Sequence, residues 1–270
     1  MAVRSLGLLA FCGMLALSGW AVSAQADEGK PVKVDPHVVT LRADPSCPQN
    51  CDPNSDHPGY VIELAEKIYG AAGYKVDYKL LSWSRTLIEV RQGNIDGAVA
   101  GIKADAPDFL YPDEEVGTLH HGFAVRKGSG WVWKGPQSLD GKILGAIPDY
   151  QYFPELKAYI DEHAEDPKRV QMVAMFNALE LNLKKLSVGR IDVVCDDMNT
   201  LRYFYGLLHL ENSIELVGPV GEAVPQYIGF TPNSARGTEL ARLWDDGMRK
   251  LRANGGLQKI LDRYGAKDWK

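Results

Sequence analysis

Across these 270 residues there is no Gly-x-Ser-x-Gly string, no glycine-rich phosphate loop and no cluster of side chains at metal-ligand spacing. The common signatures of acyl-transfer, nucleotide and metal chemistry are therefore missing. Positive charge is scarce as well: 30 Lys and Arg against 35 Asp and Glu leave a net charge of −5 with no basic face, which argues against a nucleic-acid partner. Beyond the N-terminus no apolar run reaches the roughly 20 residues of a membrane span; residues 61–68 and 143–147 are short, and the first is broken by charge. There is no low-complexity tract. His120-His121 lacks an HxxxH partner, and adjacent strand residues face opposite sides, so no metal is expected there. Met172 and Met175 belong to no recurring methionine pattern and read as core. No cofactor is expected.

Cysteine is sparse, with four in the chain. Cys12 falls in an apolar stretch over residues 6–17, which follows Arg4 and precedes Ala24-Gln25-Ala26 and the acidic Asp27-Glu28. That order of charge, apolar core and small residues is a secretory signal peptide over residues 1–26, with an uncleaved anchor as the alternative reading. Cys47 and Cys51 lie in a polar, proline- and asparagine-bearing loop. In an oxidising compartment their spacing can close a disulfide across a tight turn. Three intervening residues exclude a CxxC redox motif, and the loop lacks further ligands for zinc. Cys195 sits in an apolar strand pattern and reads as a buried thiol.

What is present is a repeated unit. Gly93-Asn94-Ile95-Asp96 and Gly189-Arg190-Ile191-Asp192 each follow an amphipathic helix, over residues 83–93 and 176–187, and each opens a strand, over residues 95–101 and 191–195. The first strand runs towards Lys103 and the second towards Asp196-Asp197. In open α/β sheets ligands sit beyond the carboxyl ends of the strands, so two such lobes imply a cleft with opposite charges on its walls. Upstream, residues 38–43 read as a strand, and Val61, Leu64, Ala65, Ile68 and Ala72 recur at helical spacing. Residues 75–81 alternate as a second strand. Strand, helix, strand, helix, strand implies a mainly parallel sheet. Extended segments at residues 121–126 and 226–231 are the candidate crossings between lobes, the first just before the Gly/Ser-rich residues 127–130. The expected organisation is lobe 1 over residues 27–126 plus 228–270 and lobe 2 over residues 127–227. After residue 231 a helix with Leu240, Leu243, Trp244, Met248 and Leu251 on one side should pack back on lobe 1. The 45% hydrophobic content suffices for an ordinary core.

Pro58-Gly59-Tyr60, Trp83-Ser84-Arg85 with Gly93-Asn94-Ile95-Asp96, Leu139-Asp140-Gly141-Lys142-Ile143-Leu144-Gly145, and the tail from Leu251 through Gly255-Gly256-Leu257 to Arg263-Tyr264-Gly265 occur in an order and spacing that resembles one family. It is that of the periplasmic solute-binding proteins of the polar amino acid type, the family 3 extracellular solute-binding proteins of ABC importers. The resemblance spans essentially all of the chain after residue 26. It implies the type II periplasmic-binding-protein fold, two lobes that are each a mainly parallel sheet flanked by helices, joined by a hinge. It also implies a monomer in the periplasm whose partners are a small-molecule ligand and the membrane subunits of an ABC transporter.

The same resemblance implies site residues. Tyr60 and Trp83 match aromatics that sandwich the ligand, and Asp197 matches an amine-binding acid. The family's carboxylate-binding arginine is absent: residues 102–108 read Ile-Lys-Ala-Asp-Ala-Pro-Asp, with Asp105 in its place. Lys103 and Arg85 are the candidates to substitute, although lysine offers a point charge where an arginine fork makes two parallel hydrogen bonds, and Arg85 has Glu89 four residues on as a competing partner. Asp149 and Tyr150 are the candidates from the second-lobe loop, and Asp196 is expected to turn away or cap the following helix near Asn199. The leading functional reading is a non-catalytic receptor that closes around a small polar solute by hinge motion. The alternatives are a periplasmic enzyme on the same scaffold, of the cyclohexadienyl dehydratase type, and a ligand-sensing partner of a membrane receptor. The enzyme needs a positioned general acid, for which Asp149, Asp197 and Glu114 can be nominated.

Overall fold

The computed structural model describes residues 35–270, and the segment expected to be a signal peptide, residues 1–26, lies outside the described residues. The order of elements, short 3-10 turns aside, is β1 (Val38–Ala43), α1 (Tyr60–Ala71), β2 (Lys75–Leu80), α2 (Trp83–Arg91), β3 (Gly97–Gly101), β4 (Gly117–Leu119), β5 (His121–Arg126), β6 (Leu144–Ala146), α3 (Pro154–His163), β7 (Val170–Met172), α4 (Ala178–Ser187), β8 (Val193–Asp197), α5 (Met198–Leu207), β9 (Ile214–Val217), β10 (Val224–Phe230), α6 (Ala235–Ala253) and α7 (Gly256–Leu261).

The strands form two five-stranded sheets built on one plan, ordered β2-β1-β3-β10-β4 and β7-β6-β8-β5-β9. In each, three strands run parallel, and a long-range strand returns antiparallel beside them: β10 against β3, and β5 against β8. Helices α1, α6 and α7 cover one face of the first sheet through Leu64, Ile68, Trp244, Met248 and Leu257, all buried. Val61, Leu64, Ala65 and Ile68 of the predicted stripe are buried, whereas Ala72 is exposed just past the end of α1, and the C-terminal helices do return to this sheet. Leu87 and Val90 of α2 cover the other face with Ile95 and Ala98. The second sheet is covered by α4 and α5 on one side and by α3 with Trp131 and Trp133 on the other.

The repeated Gly-x-Ile-Asp string has a structural explanation in both copies. Gly93 and Gly189 each adopt φ 74, the left-handed conformation that ends a helix at little cost only in glycine. The following amides bond back into the helix, Asn94 N to Glu89 O and Arg190 N to Lys185 O. Ile95 and Ile191 then enter the core. Each aspartate ties the incoming strand to its neighbour: Asp96 Oδ2 accepts from Thr40 N at 2.8 Å and Asp192 Oδ2 from Ile143 N at 3.0 Å. Each also pairs with an arginine, Arg236 and Arg126 respectively.

One boundary is corrected. Residues 121–126 were expected at the end of the first lobe, yet β5 is hydrogen-bonded between β8 and β9 in the second sheet. Five of its six residues are buried, as befits a strand in a sheet covered on both faces. The chain crosses from one sheet to the other at His120 and returns between Val217 and Val224. Gly128 and Ser129 belong instead to the turn that follows β5, where they bond to Glu215.

Candidate functional site

The carboxyl ends of β1, β3, β6 and β8 converge, as expected for parallel α/β sheets. They enclose a cavity of about 50 Å³ lined from the first sheet by Asp44, Ser46, Trp83, Gly101 and Asp105 and from the second by Tyr150, Gln151, Tyr152, Asp196 and Asp197. His121 at the crossing and Gln226 of β10 complete it. The loop that carries Asp44 and Ser46 is fixed by paired backbone bonds between Ser46 and Asn50 and by the Cys47–Cys51 disulfide. Trp83, the first residue of α2, lies so close over β3 that a Cβ on Gly101 would come within 2.7 Å of its ring. Glycine is required there by the approach of the indole.

Three contacts bridge the two sides. Tyr150 donates its hydroxyl to Asp44 Oδ2 at 2.5 Å, the Gln151 amide donates to Asp105 Oδ1 at 3.2 Å, and the Ser46 and Thr200 hydroxyls are 2.9 Å apart. The Tyr150 ring also meets Trp83 edge-on at 6.2 Å. Every charged residue of the lining is an acid. Burial pushes the Asp44 and Asp105 carboxyls up to about 7. Burial likewise raises Asp196, with Asp197 and Asp44 adding to the effect, and raises Asp197 against the opposing pull of its amide donors. Burial lowers His121 to about 4, which keeps its ring neutral near pH 7.

Of the residues singled out from sequence, Trp83, Tyr150 and Asp197 line this cavity and four others do not. The Tyr60 ring packs against Tyr264 and Trp269 and borders a separate groove with Thr118, Arg202 and Lys267. Arg85 is paired with Glu89 and stays largely exposed. The Lys103 ammonium lies 4.5 Å from the Tyr227 ring, on the outside of the strand end. Asp149 is exposed in a left-handed turn at φ 62. The helix cap considered for Asp196 is made by Asp197 instead, and both aspartates line the cavity. Asp197 caps α5, its Oδ2 accepting from Asn199 N at 2.9 Å and Thr200 N at 3.1 Å while its Oδ1 accepts from His120 N. Asp196 does not cap the helix: its Oδ1 accepts from Asp197 N at 2.7 Å, and its Oδ2 has no partner among the described residues. Sequence reasoning also missed Asp44. Its signal was available, since Asp44 directly follows the first strand and the strand-end rule applies to that strand as to the others.

The family model for bacterial extracellular solute-binding proteins, family 3, matches residues 38–267. A probable amino-acid-binding protein, YxeM of Bacillus subtilis (strain 168), is 22% identical over 256 residues, covering 92% of this chain and 91% of that protein. Among solved structures, an ancestral arginine-binding protein bound to glutamine superposes with a TM-score of 0.68 at 18% identity over 86% of this chain and 99% of its own. A histidine kinase sensor domain with similarity to periplasmic binding proteins gives 0.70 at 19% identity, over 85% and 96%.

Proposed function

This chain belongs to the family 3 bacterial extracellular solute-binding proteins, and from that membership and the cavity we infer that it captures a small polar solute between its two lobes by hinge closure. The solute is amino-acid-like or an organic acid or amine, and the closed form is presented to the membrane subunits of an ABC-type importer from the periplasm. The observation that carries the reading is the bridging set: Tyr150 with Asp44, Gln151 with Asp105 and Ser46 with Thr200 reach across the cleft, five from loops at strand ends and Thr200 from the first turn of α5. A solute that contacts both sides stabilises the closed state through interactions that the open state lacks. The two crossings, at His120 and between Val217 and Val224, are where such closure would bend the chain.

The test is a thermal-unfolding screen of the refolded, ligand-free protein against amino acids, amines, dicarboxylates, sugars and cyclic acids. A solute at one hundred times its dissociation constant adds about 2.7 kcal/mol to stability. A shift by a compound recovered unchanged is the expected result. A compound consumed with turnover would overturn the receptor reading, as would the absence of any shift across the panel.

A further inference from the structure

The cavity joins three features that constrain the charge of its occupant. Four of its lining residues are aspartates, two from each side, and none is Lys or Arg. One carboxylate oxygen, Asp196 Oδ2, is buried without a hydrogen-bond partner among the described residues, in a side chain only 8% exposed. The Trp83 indole N–H, also in the lining, is equally without one. A buried oxygen left without a partner is costly unless a ligand group fills it; burial holds the four carboxyls towards their protonated form while the cleft is empty, and a cation is the ligand that favours their ionised form. The two cations that sequence placed here are engaged elsewhere, Arg85 with Glu89 and Lys103 over Tyr227. Among the described residues no three His, Cys, Asp or Glu side chains come together closely enough to hold a metal ion; the carboxylates are spread around the cavity.

We infer that this cleft is built for an organic cation that carries no carboxylate, a protonated amine or guanidine whose N–H groups satisfy the open oxygen of Asp196. The inference rests on the cavity being the solute cleft and narrows its substrate class. A ligand carboxylate would find no arginine or lysine in the lining to receive it and would push the four carboxyls further from ionisation, whereas a cation draws them towards it. The neutral His121 ring supplies no positive charge that would alter this balance.

Titration calorimetry on the full exported chain with ligand pairs that differ only in the carboxylate decides the matter: agmatine with arginine, putrescine with ornithine, ethanolamine with serine. At least one amine is expected to bind about tenfold or more tighter than its amino acid. Asp196→Asn, which keeps the Oδ1 acceptor for the Asp197 amide, is expected to weaken that amine about tenfold or more while far-UV circular dichroism stays unchanged. Tighter binding of the amino acid in every pair overturns the inference and leaves the receptor reading standing. So does amine binding that Asp196→Asn leaves unaltered, or a heat from magnesium chloride alone that removes the amine signal. Binding of a dicarboxylate or sugar with none by any amine likewise defeats the charge assignment alone, and silence from every compound defeats both.

Discussion

At the scale of single residues, Tyr150 bridges the two sides of the cleft through two contacts. Its hydroxyl is bonded to Asp44 and its ring touches Trp83, so one residue of the second sheet engages two residues of the first. Tyr150→Phe keeps the ring and removes the donor. The ligand-free closed form is then expected to lose about 0.5–3 kcal/mol, the range from a neutral hydrogen bond to one with a charged group, and small-angle scattering should show a larger radius of gyration. An unchanged radius and melting temperature would mean that this bond does not hold the lobes. Asp196 was not legible as a site residue because its role depends on which oxygen is already occupied. Neighbouring aspartates look alike in a sequence; the amides of Asn199 and Thr200 reach Asp197, and only that leaves Asp196 open.

At the scale of elements, the repeated string was legible and its meaning was not. Helix and strand on either side of Gly93 and Gly189 follow from spacing alone. The aspartate three residues after each glycine serves the sheet, taking a backbone N–H from the adjacent parallel strand and an arginine from a distant segment. Gly93→Ala and Gly189→Ala each place a Cβ in a left-handed residue and should each cost about 1–2 kcal/mol in urea unfolding, with ligand affinity unaltered because neither residue lines the cavity. A cost below a few tenths would show that the helix ends re-form without the turn. The strand at residues 121–126 was found as an element but given to the wrong sheet. A middle strand has no patterning that names its neighbours, and the Gly/Ser turn after it resembled a boundary.

For the whole molecule, the charge of the cleft makes stability depend on pH. Asp44 and Asp105 rise from 3.8 to about 7 through burial, so between those values the folded state binds more protons than the unfolded one. Stability therefore falls as pH rises through that window, by up to about 1.4 kcal/mol per pH unit for each group. Asp196 and Asp197 act in the same direction. His121, lowered from 6.5 to about 4, opposes them between those values, one group against several. The ligand-free protein is expected to melt higher at pH 5 than at pH 7.5, with Asp44→Asn reducing the difference; a melting temperature that rises over this range would contradict the burial of the carboxylates. The sequence by itself determined the two α/β lobes, the apolar faces of their helices and the family, because periodicity and turn residues are local and repeat along the chain. Only the tertiary structure decided the sign of the cleft. Lys103 and Asp105 stand two residues apart, yet backbone twist turns the lysine outward onto Tyr227 while the aspartate faces Gln151 across the cavity. Direction at a strand end is set by packing between segments far apart in sequence.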